Sequence, residues 1–195
     1  MLLLWALPIG IGLGYLLGGR LQNLARLTLR GAWLVLAALV LQLLIFPLPG
    51  REGPILSFGT AVFHLLSYAL LAGFVLLNRR EWGILLLGGG MALNVLVIAA
   101  NGGYMPTYPA LLEQAGRVRA AEVIVAEGVY GNNVCIGCEG ISPRLVFLGD
   151  IFATPAWVPG ANVFSLGDLV LALGLIVFLQ AKMRLPSGKP DGNNV

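Results

Sequence analysis

WGILLLGGGMALNVLVIAA, residues 82–100, contains no charged side chain, and its one strongly polar group is Asn94. A run of roughly 20 mostly apolar residues is what a helix needs to cross a hydrocarbon core about 30 Å thick. Outward from it, four more windows have the same character, at 2–18, 32–48, 56–77 and 163–181. The composition agrees, with 58% hydrophobic and 11% charged residues, against about 45–50% and about 25% in soluble domains. Because the runs are continuous rather than alternating, they imply helices that satisfy their own backbone groups and exclude a barrel. The expected fold is an all-α membrane protein with five transmembrane helices and a long outer loop carrying short helices. Residues 1–185 would form one membrane domain, and 186–195 a disordered cytoplasmic tail. The first window lacks the basic flank and small-residue cleavage site of a secretory leader, so it is expected to remain as a span.

The basic residues set an orientation. Arg20, Arg26 and Arg30 follow the first window, Arg79 and Arg80 sit between the third and fourth, and Lys182, Arg184 and Lys189 follow the fifth. On the other side fall Arg51, offset by Glu52, and Arg117, Arg119 and Arg144 among four glutamates and Asp150. The excess predicts a multi-pass membrane protein with its N-terminus outside and its C-terminus cytoplasmic. The net charge of +3 is then a topology signal, with no basic patch on a folded face to suggest nucleic acid. Membrane lipids are the expected partners, and Arg20, Arg26 and Arg30 could meet anionic head groups.

Polar residues inside spans are costly and tend to face the bundle interior. His64 and Tyr68 lie four apart on one helical face, Asn94 and Asn101 seven apart on another, and Gln42 stands alone. Gly10, Gly14 and Gly18 repeat a small residue every fourth position, which suits close helix packing. Gly88-Gly89-Gly90 reads the same way, with no Lys-Ser or Lys-Thr after it to hold a phosphate. In the outer segment 101–162, Pro109 opens a short helix that Gly116 stops, and a second runs from Arg117 to Glu127 before Gly128. A connection this long is uncommon unless it does something. Its VCIGCEG motif holds the chain's two cysteines, Cys135 and Cys138. An outward C-x-x-C pair is read first as a local disulfide, with an outward-facing thiol-redox role as another reading. A structural zinc would want four ligands, and the sole histidine, His64, lies in a span, so neither metal nor cofactor is called for.

The segment LGDIFATPAWVPGANVFSLGD, residues 148–168, places Asp150 and Asp168 at the two ends of one apolar loop. Ser165-x-x-Asp168 matches a capping box at the entry of the last span. Asp150 reads as a turn residue leading into a stretch that hugs the membrane, with Trp157 at head-group depth. As a pair, two carboxylates in a poorly polarisable setting could share a proton and act as acid and base on a water.

Two resemblances bear on these residues. The runs Asn94-x6-Asn101-Gly102-Gly103-Tyr104-Met105-Pro106, Gly131-Asn132, Leu148-Gly149-Asp150-Ile151-Phe152 and Asn162-Val163-Phe164-Ser165-Leu166-Gly167-Asp168 resemble an uncharacterised bacterial membrane family, domain of unknown function 5317. That likeness covers nearly the whole chain and implies no activity; VCIGCEG is an addition to its pattern. Locally, Asp150-Ile151-Phe152, the proline-bearing loop and the Asn162-to-Asp168 entry are similar to bacterial lipoprotein signal peptidase. This second resemblance implies an aspartyl dyad of Asp150 and Asp168 with Asn162 positioning substrate, although Leu166-Gly167 lengthens the spacing and that family has four spans. The expected site on the outer face comprises Asn101, Tyr104, Asp150, Asn162 and Asp168. Its first reading is a non-enzymatic module that binds lipid or a membrane-anchored peptide or protein, and its alternative is a membrane-boundary aspartyl hydrolase.

Overall fold

The computed structural model describes residues 2–46, 55–56 and 58–184, the Arg26 side chain excepted. The tail at 186–195 and the Arg51-Glu52 turn lie outside those residues. Five apolar helices, α1 (Leu2–Leu16), α2 (Ala32–Ile45), α3 (Thr60–Leu77), α4 (Trp82–Ala100) and α7 (Leu166–Met183), carry the chain back and forth. Their packing contacts make a row in the order α2, α3, α4, α7, α1.

Three of these helices, α3, α4 and α7, are long and apolar enough to cross a membrane. This corrects the expectation of five. At about 1.5 Å per residue, the 15 residues of α1 and 14 of α2 reach about 21–23 Å, short of the hydrocarbon core. Local features end both helices. Gly18 turns out of α1 with φ +79°, and Phe46 adopts extended backbone with φ −114° and ψ 150°, as a residue before proline tends to.

Glycines decide how the central pair meets. A Cβ at Gly90 would come 2.5 Å from the Gly167 carbonyl oxygen, and one at Gly174 would come 2.6 Å from the Leu87 nitrogen. Gly83 likewise lies against Phe178. Because low numbers on α4 meet high numbers on α7, the two helices are antiparallel, with backbones too close for any larger residue. On the other side of α7, Gly10 faces Leu179 and Gly14 faces Met183, so α1 runs parallel to it. Gly18, the third of the expected stripe, has open space around it. The three consecutive glycines divide their work, Gly88 against Val75 of α3, Gly90 against α7, and Gly89 against nothing.

The bundle therefore has two distinct ends. At one, Arg20 N–H donates to the Met183 carbonyl at 2.9 Å, the Asn78 side chain bonds both backbone groups of Arg30, and Lys182 meets Glu81 at 2.6 Å. This is the basic end. At the other, a folded cap joins α4 to α7. Tryptophans mark both boundaries: Trp33 and Trp82 begin α2 and α4 at the basic end. Trp5 lies at the cap end, where its indole N–H donates to the Pro159 carbonyl of the cap at 3.1 Å.

The cap corrects the all-α expectation. It contains the two short helices read from sequence, α5 (Pro109–Gln114) and α6 (Val118–Glu127), the latter stopped by Gly128 at φ +79°. It also contains β1 (Met105–Thr107), β2 (Val129–Tyr130) and β3 (Asn133–Cys135), in the order β1-β3-β2. Strand β1 pairs parallel with β3, Thr107 opposite Cys135. A hairpin of β4 (Phe152–Ala153) and β5 (Val163–Phe164) leads into α7, its Phe152 and Phe164 rings stacked at 5.4 Å. Leu112, Ala121, Ile124, Cys135 and Val163 form the cap's own core. A second cluster, Val97, Ile98, Met105 and Leu148, glues the cap to the top of α4.

Candidate functional site

The entry of α7 is built locally. Asp168 N–H donates to Ser165 Oγ at 3.0 Å, and Ser165 N–H donates back to Asp168 Oδ2 at 3.2 Å, the capping box expected from the sequence. Asn94 of α4 then reaches across: its Nδ2 donates to Asp168 Oδ1 at 2.9 Å while its Oδ1 accepts from Ser165 Oγ at 2.8 Å. Both carboxylate oxygens are thus engaged by donors. Only glycine at position 167 leaves room for the Asn94 side chain.

Asp150 is built differently. It is not a surface turn residue: it extends the edge of β1 through an isolated parallel bridge with Thr107 and is 7% exposed. Its N–H donates to the Pro106 carbonyl at 2.8 Å, and its carbonyl accepts from Thr107 Oγ1 at 3.0 Å. The carboxylate accepts from Asn133 Nδ2 at 3.0 Å through Oδ2. Burial pushes this carboxyl up to about 7, and the Asp168 charge pushes the same way, while the Asn133 hydrogen bond and the Arg117 charge pull against them. A proton on Asp150 near neutral pH is the cheapest answer to a poorly solvated site that already feels one negative charge.

The two acids therefore sense each other electrostatically, and the phenol of Tyr68 on α3 lies within electrostatic reach of both. The His64 ring sits 5.1 Å from Tyr68, and its Nδ1 donates to the Gly103 carbonyl at 2.8 Å. The expected common face of these two side chains is present. Gln42 also has its partner across the α2–α3 contact, donating to Ser67 Oγ at 3.0 Å.

The asparagines act as clamps. Asn101 Oδ1 accepts from the Arg144 N–H at 2.7 Å, and its Nδ2 donates to the carbonyls of Val97 and Arg144. The clamped peptide precedes Leu145, whose φ of +53° is costly for a branched residue. That kink launches the 3-10 turn Val146–Leu148, which delivers Asp150 to β1. Asn162 accepts from Arg117 Nη1 at 2.6 Å, and its backbone exchanges two bonds with Thr154 Oγ1. It holds the β4–β5 hairpin to the start of α6. Tyr104 is half-buried, its N–H donating to the Asn101 carbonyl at 3.3 Å. Cys135 and Cys138 are paired at disulfide distance, Cα–Cα 5.8 Å, with Cys135 wholly buried in the cap core. Sequence reasoning missed Asn133, Thr107 and Arg117 as partners; the Gly131-Asn132-Asn133 turn was the nearest signal.

One family model matches residues 26–180, and it describes a family of unknown function, DUF5317. The chain belongs to that family. All of the clamps and both acids lie inside the matched region, so the cap is part of the DUF5317 domain rather than an appendage to it. No curated protein matches the chain, and no solved structure does.

Proposed function

We propose that this DUF5317 protein is a multi-pass protein of the bacterial cytoplasmic membrane, N-terminus outside, with α3, α4 and α7 crossing the bilayer and the shorter α1 and α2 packed against α7 and α3. Its cap would be a non-enzymatic module that binds lipid or a membrane-anchored partner. The observation that carries this reading is the engagement of Asp168: each carboxylate oxygen already accepts from a donor within the protein. A carboxylate in that state locks a helix and has little freedom to activate a water. Asn101 and Asn162 are spent in the same way, on fastening loops. The cap also presents an exposed aromatic side chain. Trp157 is 82% exposed at the β4–β5 turn, beside the Pro159 that touches Trp5 of α1, which suits contact at head-group depth.

A second reading has one observation in its favour. Asp150 is held near neutral protonation beside the charge of Asp168, and such a division between two acids would serve an aspartyl hydrolase. The test is to reconstitute the protein in vesicles with a lipid-modified, membrane-anchored peptide and to follow both retention and cleavage. The binding reading expects the intact peptide or lipid to be retained, and retention to weaken in Trp157→Ala. Cleavage that disappears in both Asp150→Asn and Asp168→Asn, with folding intact, would replace it with the hydrolase.

A further inference from the structure

The basic end, opposite the cap, contains a cavity of about 400 Å³ that the reading above does not use. It opens between the start of α2 and the α3–α4 turn, and its walls include Arg30, Leu76, Leu77, Arg79 and Arg80. Its size is that of an ordinary small-ligand site.

Three features narrow the ligand. The first is charge. Three arginines line the cavity against a single acid, Glu81, and that acid is already drawn toward Lys182 of α7 at 2.6 Å. Among the described residues no carboxylate pairs with Arg30, Arg79 or Arg80, so an anion would find uncompensated, bidentate-capable donors.

The second feature is that the walls are fixed before any ligand arrives. Asn78 is buried, accepts from the Arg30 N–H at 3.0 Å, and donates to the carbonyls of Arg30 and Phe74 at 2.8 Å each. Both sides of the cavity are thereby tied together, and Gly31 permits the approach, since a Cβ there would come 2.6 Å from Leu77. Little ordering is left for binding to impose.

The third is that the lining is amphipathic in a definite order. Leu76 and Leu77 belong to the last turn of an apolar, membrane-length helix and are both largely exposed, while Arg79 and Arg80 follow directly beyond them. Trp82, 79% exposed, marks the same level. An occupant with a phosphate at the arginines and acyl chains along the leucines matches all of this, and a free phosphate leaves the leucines without a role.

We propose that this cavity binds the phosphate of an anionic phospholipid, with Arg79, Arg80 and Arg30 as its ligands and Leu76 and Leu77 against its first acyl carbons. The experiment uses the full chain in a mild detergent, titrated with phosphatidylglycerol, with phosphatidylcholine, and with inorganic phosphate and glycerol phosphate. Thermal unfolding and the number of lipids retained in native mass spectrometry are read for each. Phosphatidylglycerol should raise the midpoint and be retained, and phosphatidylcholine should do neither. Arg79→Gln with Arg80→Gln should weaken that response at least tenfold while leaving the lipid-free midpoint unchanged, whereas Arg184→Gln, outside the cavity, should leave it intact. Should the double variant not insert, Arg80→Gln alone should still weaken the response several-fold. Equal responses to the two lipids, a full response in the arginine variants, or an equal response to the acyl-free phosphates would each overturn the proposal.

Discussion

At the entry of α7 a carboxylate is met by donors on both oxygens, from Asn94 and from the Ser165 backbone. At the edge of β1, by contrast, the Asp150 carboxyl is buried against a single amide donor, Asn133, and its pKa rises toward neutrality. The residue type is the same and the loop joining them is the same, but the demands differ. Asp168 is needed as a charge, because its partners are all donors and it complements a helix N-terminus. Asp150 is needed as a shape that completes a strand edge, and its charge is a burden on the fold. Hence one position should reject a neutral amide and the other should accept it.

The sharpest way to break the Asp168 side of that contrast is through the glycine beneath it. Gly167→Leu would drive a side chain into Asn94, separating α4 from α7 at the capping box. A loss of about 3 kcal/mol or more is expected, at the upper end of overpacking costs, seen as failure to yield a monodisperse protein. Gly89→Ala, on α4 but facing open space, should be neutral or slightly stabilising. Next in size is Asp168→Asn, which puts an amide N–H₂ where donors converge; about 1–3 kcal/mol should be lost, measured by denaturation in detergent.

How much of this was legible in the sequence depends on the range of each interaction. The helices were readable because their apolar runs are long, and the start of α4 at residue 82 and its end at residue 100 match the quoted stretch. The capping box was readable because Ser165 and Asp168 are neighbours. Strands of two or three residues gave no periodicity to find, so the sheet went unseen. The partners of Asp150 were hidden for a different reason: Asn133 and Thr107 lie 17 and 43 residues away in sequence, and only the folded cap brings them together. Likewise, no apolar count could show that Gly18 and Phe46 would end α1 and α2 before the hydrocarbon was crossed.

A smaller effect is expected from the cap's covalent staple. Closing so short a loop is worth about 2 kcal/mol in the chain-entropy picture, so Cys135→Ala with Cys138→Ala should lower the unfolding midpoint of the cap modestly. Retained binding in that variant would assign the pair to the cap core, where Cys135 packs with Leu112 and Ile124. Binding lost on reduction alone, with stability unchanged, would instead favour a redox role.

The Asp150 side of the contrast has a defined sign. Its folded pKa of about 7 lies above the ordinary 3.8, so folding favours the protonated form. The stability this provides is complete below about pH 4 and is lost as pH rises through about 7. Asp150→Asn, keeping the shape and an acceptor for Asn133, should flatten that slope and match or exceed the native protein above neutrality. The most direct measurement is the protonated-carboxyl band in the infrared spectrum of the full chain in lipid, followed from about pH 4 to 9 and compared with Asp150→Asn. A band that titrates with a midpoint near 7, vanishes in Asp150→Asn, and persists with a lower midpoint in Asp168→Asn is expected. Absence of any protonated carboxyl above about pH 5 in the native chain would contradict that expectation.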